Sequence, residues 1–228
     1  MNGSPMNSSG MNGHPMSGQG QPGSGVSLEA LTSAGLLAVP NFLSETVCAE
    51  LCASMRSGAS LTATVARGGR DHVLDTRVRR TRGAVLPASL RHTVEAGLAA
   101  VRPRLAEHFA VALDDHETPQ FLAYSKGDFF RAHQDNSEDP ALAEFIRRRR
   151  VSVVLFLSRQ TRFPEPGSYC GGELTFFRLP GLAGDEGLRA RLWGQPGLLV
   201  AFDSGQLHEV APVTHGFRGS MVTWYPQR

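Results

Sequence analysis

The chain has 228 residues, 41% hydrophobic and 19% charged, a composition that supports a complete globular core without disulfides and excludes disorder of the chain as a whole. A formal net charge of +2 makes no case for a polyanionic partner, and Cys48, Cys52 and Cys170, three cysteines without a CxxC pair, argue against a disulfide framework or a structural zinc site. With no basic leader ahead of an apolar segment and no apolar run of the ~20 residues needed to span a bilayer, the expectation is a soluble cytoplasmic protein with neither a membrane nor a nucleic-acid partner.

Residues 1–26 carry no charge and consist almost entirely of Met, Asn, Gly, Ser, Pro and Gln, so they cannot bury enough apolar surface to offset ordering entropy and are expected to form a disordered tail. Met1, Met6, Met11 and Met16 recur every five residues there, a spacing that fits no helix, strand or solenoid. Folded sequence begins near Leu28. Ser44 is a good N-cap for an amphipathic helix carrying Val47, Cys48, Leu51, Cys52 and Met55 on one side, with Gly58 placed to end it. Cys48 and Cys52, at i and i+4, read as small core residues.

The stretch from Leu61 to Leu86, rich in Arg and Gly, reads as mostly loop with room for short strands. After Pro87, Leu90, Val94, Leu98 and Val101 recur at helical spacing, and Pro103 is expected to kink that helix or to start a new one reaching Phe109. From Gln120 the texture changes to short apolar or alternating runs between Gly, Pro and Asp: QFLAYS, DFFRAHQ, VSVVLFLS, GELTFF, GLLVAF, LHEVAPV and SMVTWY. Seven such runs in roughly a hundred residues predict an antiparallel sandwich or barrel. The expected organisation is a tail over 1–26, a helical N-terminal support region over 27–112 and a β-barrel domain over 113–228, mostly β overall. Lys126 is the only lysine, so nearly all positive charge is arginine. The cluster Arg147 to Arg150 reads as a solvated strand entrance in preference to a nucleic-acid patch.

His133 and Asp135 in DFFRAHQDN are two apart, which in a strand or at its end puts both on the same side. A lone HxD pair arises by chance at strand ends; the weight comes from His208 in GQLHEVAPV, carried by a different apolar run toward the same end of a barrel. Two imidazoles and one carboxylate on one face leave coordination positions free, the donor set of non-haem ferrous oxygenases, whereas zinc prefers a closed four-coordinate site. Ten residues beyond His208, Arg218 opens the last apolar run. A guanidinium buried near a metal needs an anion, and a dicarboxylate suits its bidentate fork.

From about Pro119 to Tyr225 the chain resembles the prolyl-4-hydroxylase branch of the 2-oxoglutarate/Fe(II) oxygenases, and in motif the oxygen-sensing prolyl hydroxylases. The matching pieces are YSKGDFFRAHQDN, VSVVLFLS, GGEL, GLLVAFDS, HEVAPV and FRGSMVTWY. The resemblance implies a double-stranded β-helix of the jelly-roll type, with His133, Asp135 and His208 as both metal ligands and catalytic centre. It implies Arg218 as partner of the 2-oxoglutarate distal carboxylate, Tyr124 as a hydrogen-bond donor to the same co-substrate, and ascorbate as an accessory. Gly171 and Gly172 are expected to serve a close backbone approach, and Trp224 and Phe202 to be core or pocket wall.

On that resemblance the activity is hydroxylation of an aliphatic C–H with O₂ and 2-oxoglutarate, releasing succinate and CO₂. Two substrate classes stay open: a prolyl or other residue in a peptide or protein, and a free amino acid or small metabolite. A non-catalytic barrel that only binds is a third reading, disfavoured by the full ligand set. The regions expected around the barrel mouth are Asn136 to Ile146, Arg67 to Arg82 and Gln160 to Tyr169, with the long segment Arg159 to Ser168 a candidate lid. Arg77, Arg79 and Arg80 read either as ligands for a substrate carboxylate or as ordinary surface charges.

Overall fold

The computed structural model describes residues 28–58, 60–62, 65–67, 70–73, 76–140, 142–179 and 189–228, together with Met1. The expected tail over 1–26 therefore lies, Met1 apart, outside the described residues. The elements run α1 (Leu28–Ser33), β1 (Leu37–Val39), α2 (Glu45–Ser57), β2 (Ser60–Thr62), β3 (Val65–Arg67), β4 (Arg70–Val73), β5 (Arg79–Arg80), β6 (Arg82–Ala84) and α3 (Ala88–His108) in the N-terminal half. There follow β7 (Gln120–Tyr124), β8 (Phe129–His133), α4 (Glu144–Arg147), β9 (Arg149–Phe156), β10 (Tyr169–Gly171), β11 (Leu174–Phe177), β12 (Arg189–Leu192), β13 (Leu199–Asp203), β14 (His208–Val210), β15 (Val213–Gly216) and β16 (Arg218–Pro226).

Helix α2 starts and stops where the sequence supplies caps: the Ser44 side chain accepts from the Val47 N–H at 3.3 Å, and the Gly58 N–H returns to the Ser54 carbonyl. Its buried residues are Cys48, Leu51, Cys52 and Met55. Helix α3 continues through Pro103 to His108 as one 21-residue element, so no new helix starts there. Proline leaves the Ala99 carbonyl without its helical donor. Burial of Val101 and Leu105 on either side of it holds the helix together.

Two antiparallel sheets face each other. The larger has seven strands in the order β1-β13-β9-β16-β7-β6-β2, and the smaller five in the order β12-β11-β14-β8-β5. This is a mostly β, double-stranded β-helix architecture, with α2 and α3 packed on the outer face of the large sheet. The N-terminal half supplies strands as well as helices: β1, β2 and β6 extend the large sheet and β5 edges the small one. Along each central strand of the large sheet the side chains alternate between two cores. Val151, Val153, Leu155, Met221 and Tyr225 meet the helices, while Val154, Phe156, Val200 and Phe202 point between the sheets toward Leu174, Phe176 and Val210. Among the described residues no helix is long and apolar enough to cross a membrane.

Candidate metal and anion site

His133 ends β8 and His208 begins β14, and the two are direct partners across the antiparallel pair. Opposed residues project to the same face, so the pairing itself brings the imidazoles together, with ring centroids 4.3 Å apart. Asp135 lies two residues past the strand end, where its N–H donates to the Ser204 carbonyl at 2.9 Å. Its Oδ1 is 3.5 Å from His133 Nε2 and its Oδ2 3.6 Å from His208 Nε2. One donor atom from each of the three residues falls within 4.8 Å of the others, close enough for one cation.

The hydrogen bonds of the rings assign their tautomers. His133 Nδ1 lies 2.8 Å from the Arg131 carbonyl and His208 Nδ1 2.9 Å from that of Gln206. A carbonyl can only accept, so each Nδ1 carries a proton and each Nε2 is the ring atom turned to the common centre. Burial, and then the neighbouring His133, push the His208 imidazolium down to about 4, against the pull of Asp135, which leaves the ring neutral at ordinary pH. Burial alone would raise the Asp135 carboxyl; His208, His133 and a hydrogen bond from Trp224 outweigh it and hold the group well below the usual carboxylate range. A neutral His208 imidazole beside an ionised Asp135 carboxylate is the state that a divalent cation requires. The donor set and its tautomers therefore fit a metal of the ferrous kind.

Arg218 opens β16 directly opposite Tyr124 on β7, and both point between the sheets. Only 1% of Arg218 is exposed. Its Nε donates to the Gly172 carbonyl at 3.0 Å and its Nη1 to Ser220 Oγ at 2.9 Å, while the rings of Tyr124 and Phe156 lie 4.9 and 5.5 Å from the guanidinium carbon. Nη2 is buried without a hydrogen-bond partner, and no carboxylate among the described residues pairs with the cation. A buried guanidinium in that state would be stabilised by an anion. Gly172, at φ +67°, makes the approach possible: a β-carbon there would stand 3.0 Å from Arg218 Cδ and 2.9 Å from a Val213 methyl. Arg218, Tyr124 and the His133–Asp135–His208 cluster all line one cavity between the sheets.

Several residues of the site carried no functional signal in the sequence. Trp224, read as core or wall, lines the cavity and hydrogen-bonds Asp135. Arg149, one of the arginines assigned to a solvated strand entrance, stacks over Trp224 at 3.7 Å, makes two 2.6 Å bonds to the Glu117 carboxylate and reaches the Asp135 carbonyl at 3.3 Å. Arg148 and Arg150 also pair with acids, Asp114 and Asp203, so Arg148, Arg149 and Arg150 are each ion-paired. Phe202, read alongside it as core or wall, is core, and meets the His208 ring edge-on at 4.7 Å. Of the arginines on the Arg77–Arg80 stretch, Arg77 and Arg80 are exposed. Arg79 is 8% exposed, lies over Phe130 and faces Tyr124 and Asp135 inside the cavity. The candidate lid is closed on itself, since Thr161 Oγ1 bonds Ser168 Oγ and the Thr161 and Tyr169 amides cross-bond its two ends.

Residues 119–226 match the family model described as the 2OG-Fe(II) oxygenase superfamily. A PKHD-type hydroxylase of Shewanella sp. (strain ANA-3) is 34% identical over 106 residues, which cover 46% of this chain and 41% of that protein. Another from Bordetella pertussis is 36% identical over 109 residues, 46% and 42% of the two chains. The match thus spans about two-fifths of the length of these relatives. Among solved structures, a prolyl-4-hydroxylase of Pseudomonas putida superposes with a TM-score of 0.64 at 24% identity, covering 88% of this chain and 97% of its own. A Trichoplax adhaerens prolyl hydroxylase in complex with a hypoxia inducible factor peptide fragment gives 0.63 at 18%, covering 87% and 86%. At these identities the likeness speaks for the fold.

Proposed function

We propose that this chain, which carries a 2OG-Fe(II) oxygenase superfamily domain over residues 119–226, is an Fe(II)- and 2-oxoglutarate-dependent hydroxylase. His133, Asp135 and His208 would hold the ferrous ion, and Arg218, flanked by Tyr124, would receive the distal carboxylate of 2-oxoglutarate. The observation that carries the reading is the pairing, in one cavity, of three metal-ready donors with a buried guanidinium that lacks an anion. Bound iron with 2-oxoglutarate and O₂ supplies the oxidising power for hydroxylating an aliphatic C–H, with succinate and CO₂ as co-products.

The chain's own contributions are orientation and exclusion. The Arg131 and Gln206 carbonyls fix the rings, Trp224 and the Arg149–Glu117 pair brace Asp135, and Phe130, Val210 and Val222 keep the cavity wall apolar. Arg79 would meet a carbonyl or carboxylate of the substrate. A prolyl or other residue in a peptide or protein is the substrate class we favour, because the prolyl hydroxylase structures share the fold over most of the chain and one of them is a peptide complex. A free amino acid or small metabolite is the second class, and Arg79 serves it equally through a free carboxylate.

The same proposal takes the catalytic unit as residues 113–228, supported from 27–112. It places the protein in the cytoplasm, in keeping with three unbridged cysteines, and includes ascorbate as an external reductant. Anaerobic protein given Fe(II) and 2-oxoglutarate, then air, is expected to release succinate, faster with ascorbate. A proline-containing peptide library and the free amino acids, run side by side, separate the substrate classes. Folded protein that binds no Fe(II) and releases no succinate would end the enzymatic reading in favour of a binding-only barrel.

A further inference from the structure

Behind Arg218 lies a pair of buried side chains that the proposed site does not use. Tyr169 is fully buried and Gln160 is 5% exposed, and neither belongs to the cavity wall. The neighbours of Gln160 settle which way its amide faces. Nε2 donates to the Gly171 carbonyl at 2.9 Å and to a Glu173 carboxylate oxygen at 3.0 Å, both groups that only accept. Oε1 accepts the Gly194 N–H at 2.9 Å and the Tyr169 hydroxyl at 3.4 Å. With its proton committed to Gln160, the Tyr169 oxygen has only lone pairs to present on its remaining side.

Arg218 packs beside this ring, against the same Gly172 backbone. Burial carries the Tyr169 phenol up to about 12 against the opposing pull of Arg218, so the group stays a neutral hydroxyl beside a cation. The backbone is cut away to allow the contact. A β-carbon on Gly194 would collide with Tyr169 Oη, and one on Gly172 would stand 3.0 Å from Arg218 Cδ and 3.3 Å from Tyr169 Cε2, which places both side chains against the same bare backbone.

We propose that Tyr169 and Gln160 are positioning residues for recognition of the anionic co-substrate: from behind the cavity they clamp Arg218, so that Nη2 is kept for a distal carboxylate. This rests on the reading of Arg218 as the anion's partner. Its consequence is selectivity, since the clamp matters for an oxo acid with a second carboxylate and not for one without.

The test uses the full chain loaded with Mn(II), which binds oxo acids without turnover, and calorimetric titration of 2-oxoglutarate against 2-oxopentanoate, the same chain lacking the distal carboxylate. Tyr169→Phe is expected to weaken 2-oxoglutarate about tenfold and to change 2-oxopentanoate by less than about twofold, the loss belonging to one polar neighbour of a charge. Gln160→Met, which removes the partner of the hydroxyl, is expected to give the same selective loss and serves if the tyrosine variant does not fold. Combining the two should add little, because both act through one contact. Equal weakening of both oxo acids, or of neither, overturns the inference. Arg218→Met must abolish the preference for 2-oxoglutarate; if it does not, the reading of Arg218 itself fails, whatever Tyr169→Phe shows.

Discussion

The two faces of the large sheet are built from the same strands and have opposite chemistry. Toward α2 and α3 the side chains are apolar almost throughout, Val151, Val153, Leu155 and Met221 among them, with the hydroxyl of Tyr225 tied to the Leu98 carbonyl at 2.7 Å. One residue along, the inward face carries Arg218, Ser220 and Trp224 from β16, and Ser152 from β9, which bonds Ser204 beneath the Asp135 loop. The alternation of a strand is what separates them. A chain that places a buried cation on the inward side of this sheet gives stability to one parity of residues and chemistry to the other. Substitutions one position apart should therefore have separable consequences.

The strongest test removes the anionic ligand. Asp135→Ala is expected to cut succinate formation at least about a thousandfold and to abolish stoichiometric Fe(II) binding, with the circular dichroism spectrum unchanged. Loss of the fold together with the activity would place Asp135 on the structural side of the comparison. Next in size is the opposite face: Met221, fully buried against the helices, should cost roughly 2–5 kcal/mol of unfolding free energy as Met221→Ala and leave turnover per folded molecule intact. A drop in turnover at full folding would show that the two faces are coupled. Smaller again, Tyr225→Phe removes the bond to Leu98 and should lower stability by about 1 kcal/mol in a denaturant titration, with 2-oxoglutarate affinity unmoved although Trp224 is its neighbour in sequence.

How much of this could be read from the sequence follows from where each signal is local. The runs that became β7, β9, β13 and β16 are short, apolar and punctuated, because both their faces are buried. The His133–Asp135–His208 cluster was legible because His133 and Asp135 are two apart in such a run and His208 follows another. Strands β1, β5 and β6 were not, since two or three residues such as Arg79–Arg80 have no period to detect. Nothing local distinguishes Arg79 from Arg80; the difference arises across the sheet, where Arg79 pairs with the inward Phe130 and Arg80 with Phe129. The Gln160–Tyr169 clamp and the Glu117–Arg149 brace are likewise products of non-local packing. At Pro103 the local signal was present and was overruled, because the apolar face of α3 outweighs one missing hydrogen bond.

The smallest expected effect on stability belongs to the residue that looks most expensive. Arg218→Met deletes a fully buried guanidinium with its bonds to Gly172 and Ser220, yet it also deletes a desolvated charge that no carboxylate among the described residues balances. Methionine fills much the same length, and the two losses offset, so metal-free protein should unfold within about 1 kcal/mol of the parent. Adding 2-oxoglutarate with Mn(II) should then raise the melting temperature of the parent well above that of the variant. A variant several kcal/mol less stable without any ligand would mean that the guanidinium is already satisfied by the fold, and the inward face would then hold its cation for structure, as the outward face holds its methionine.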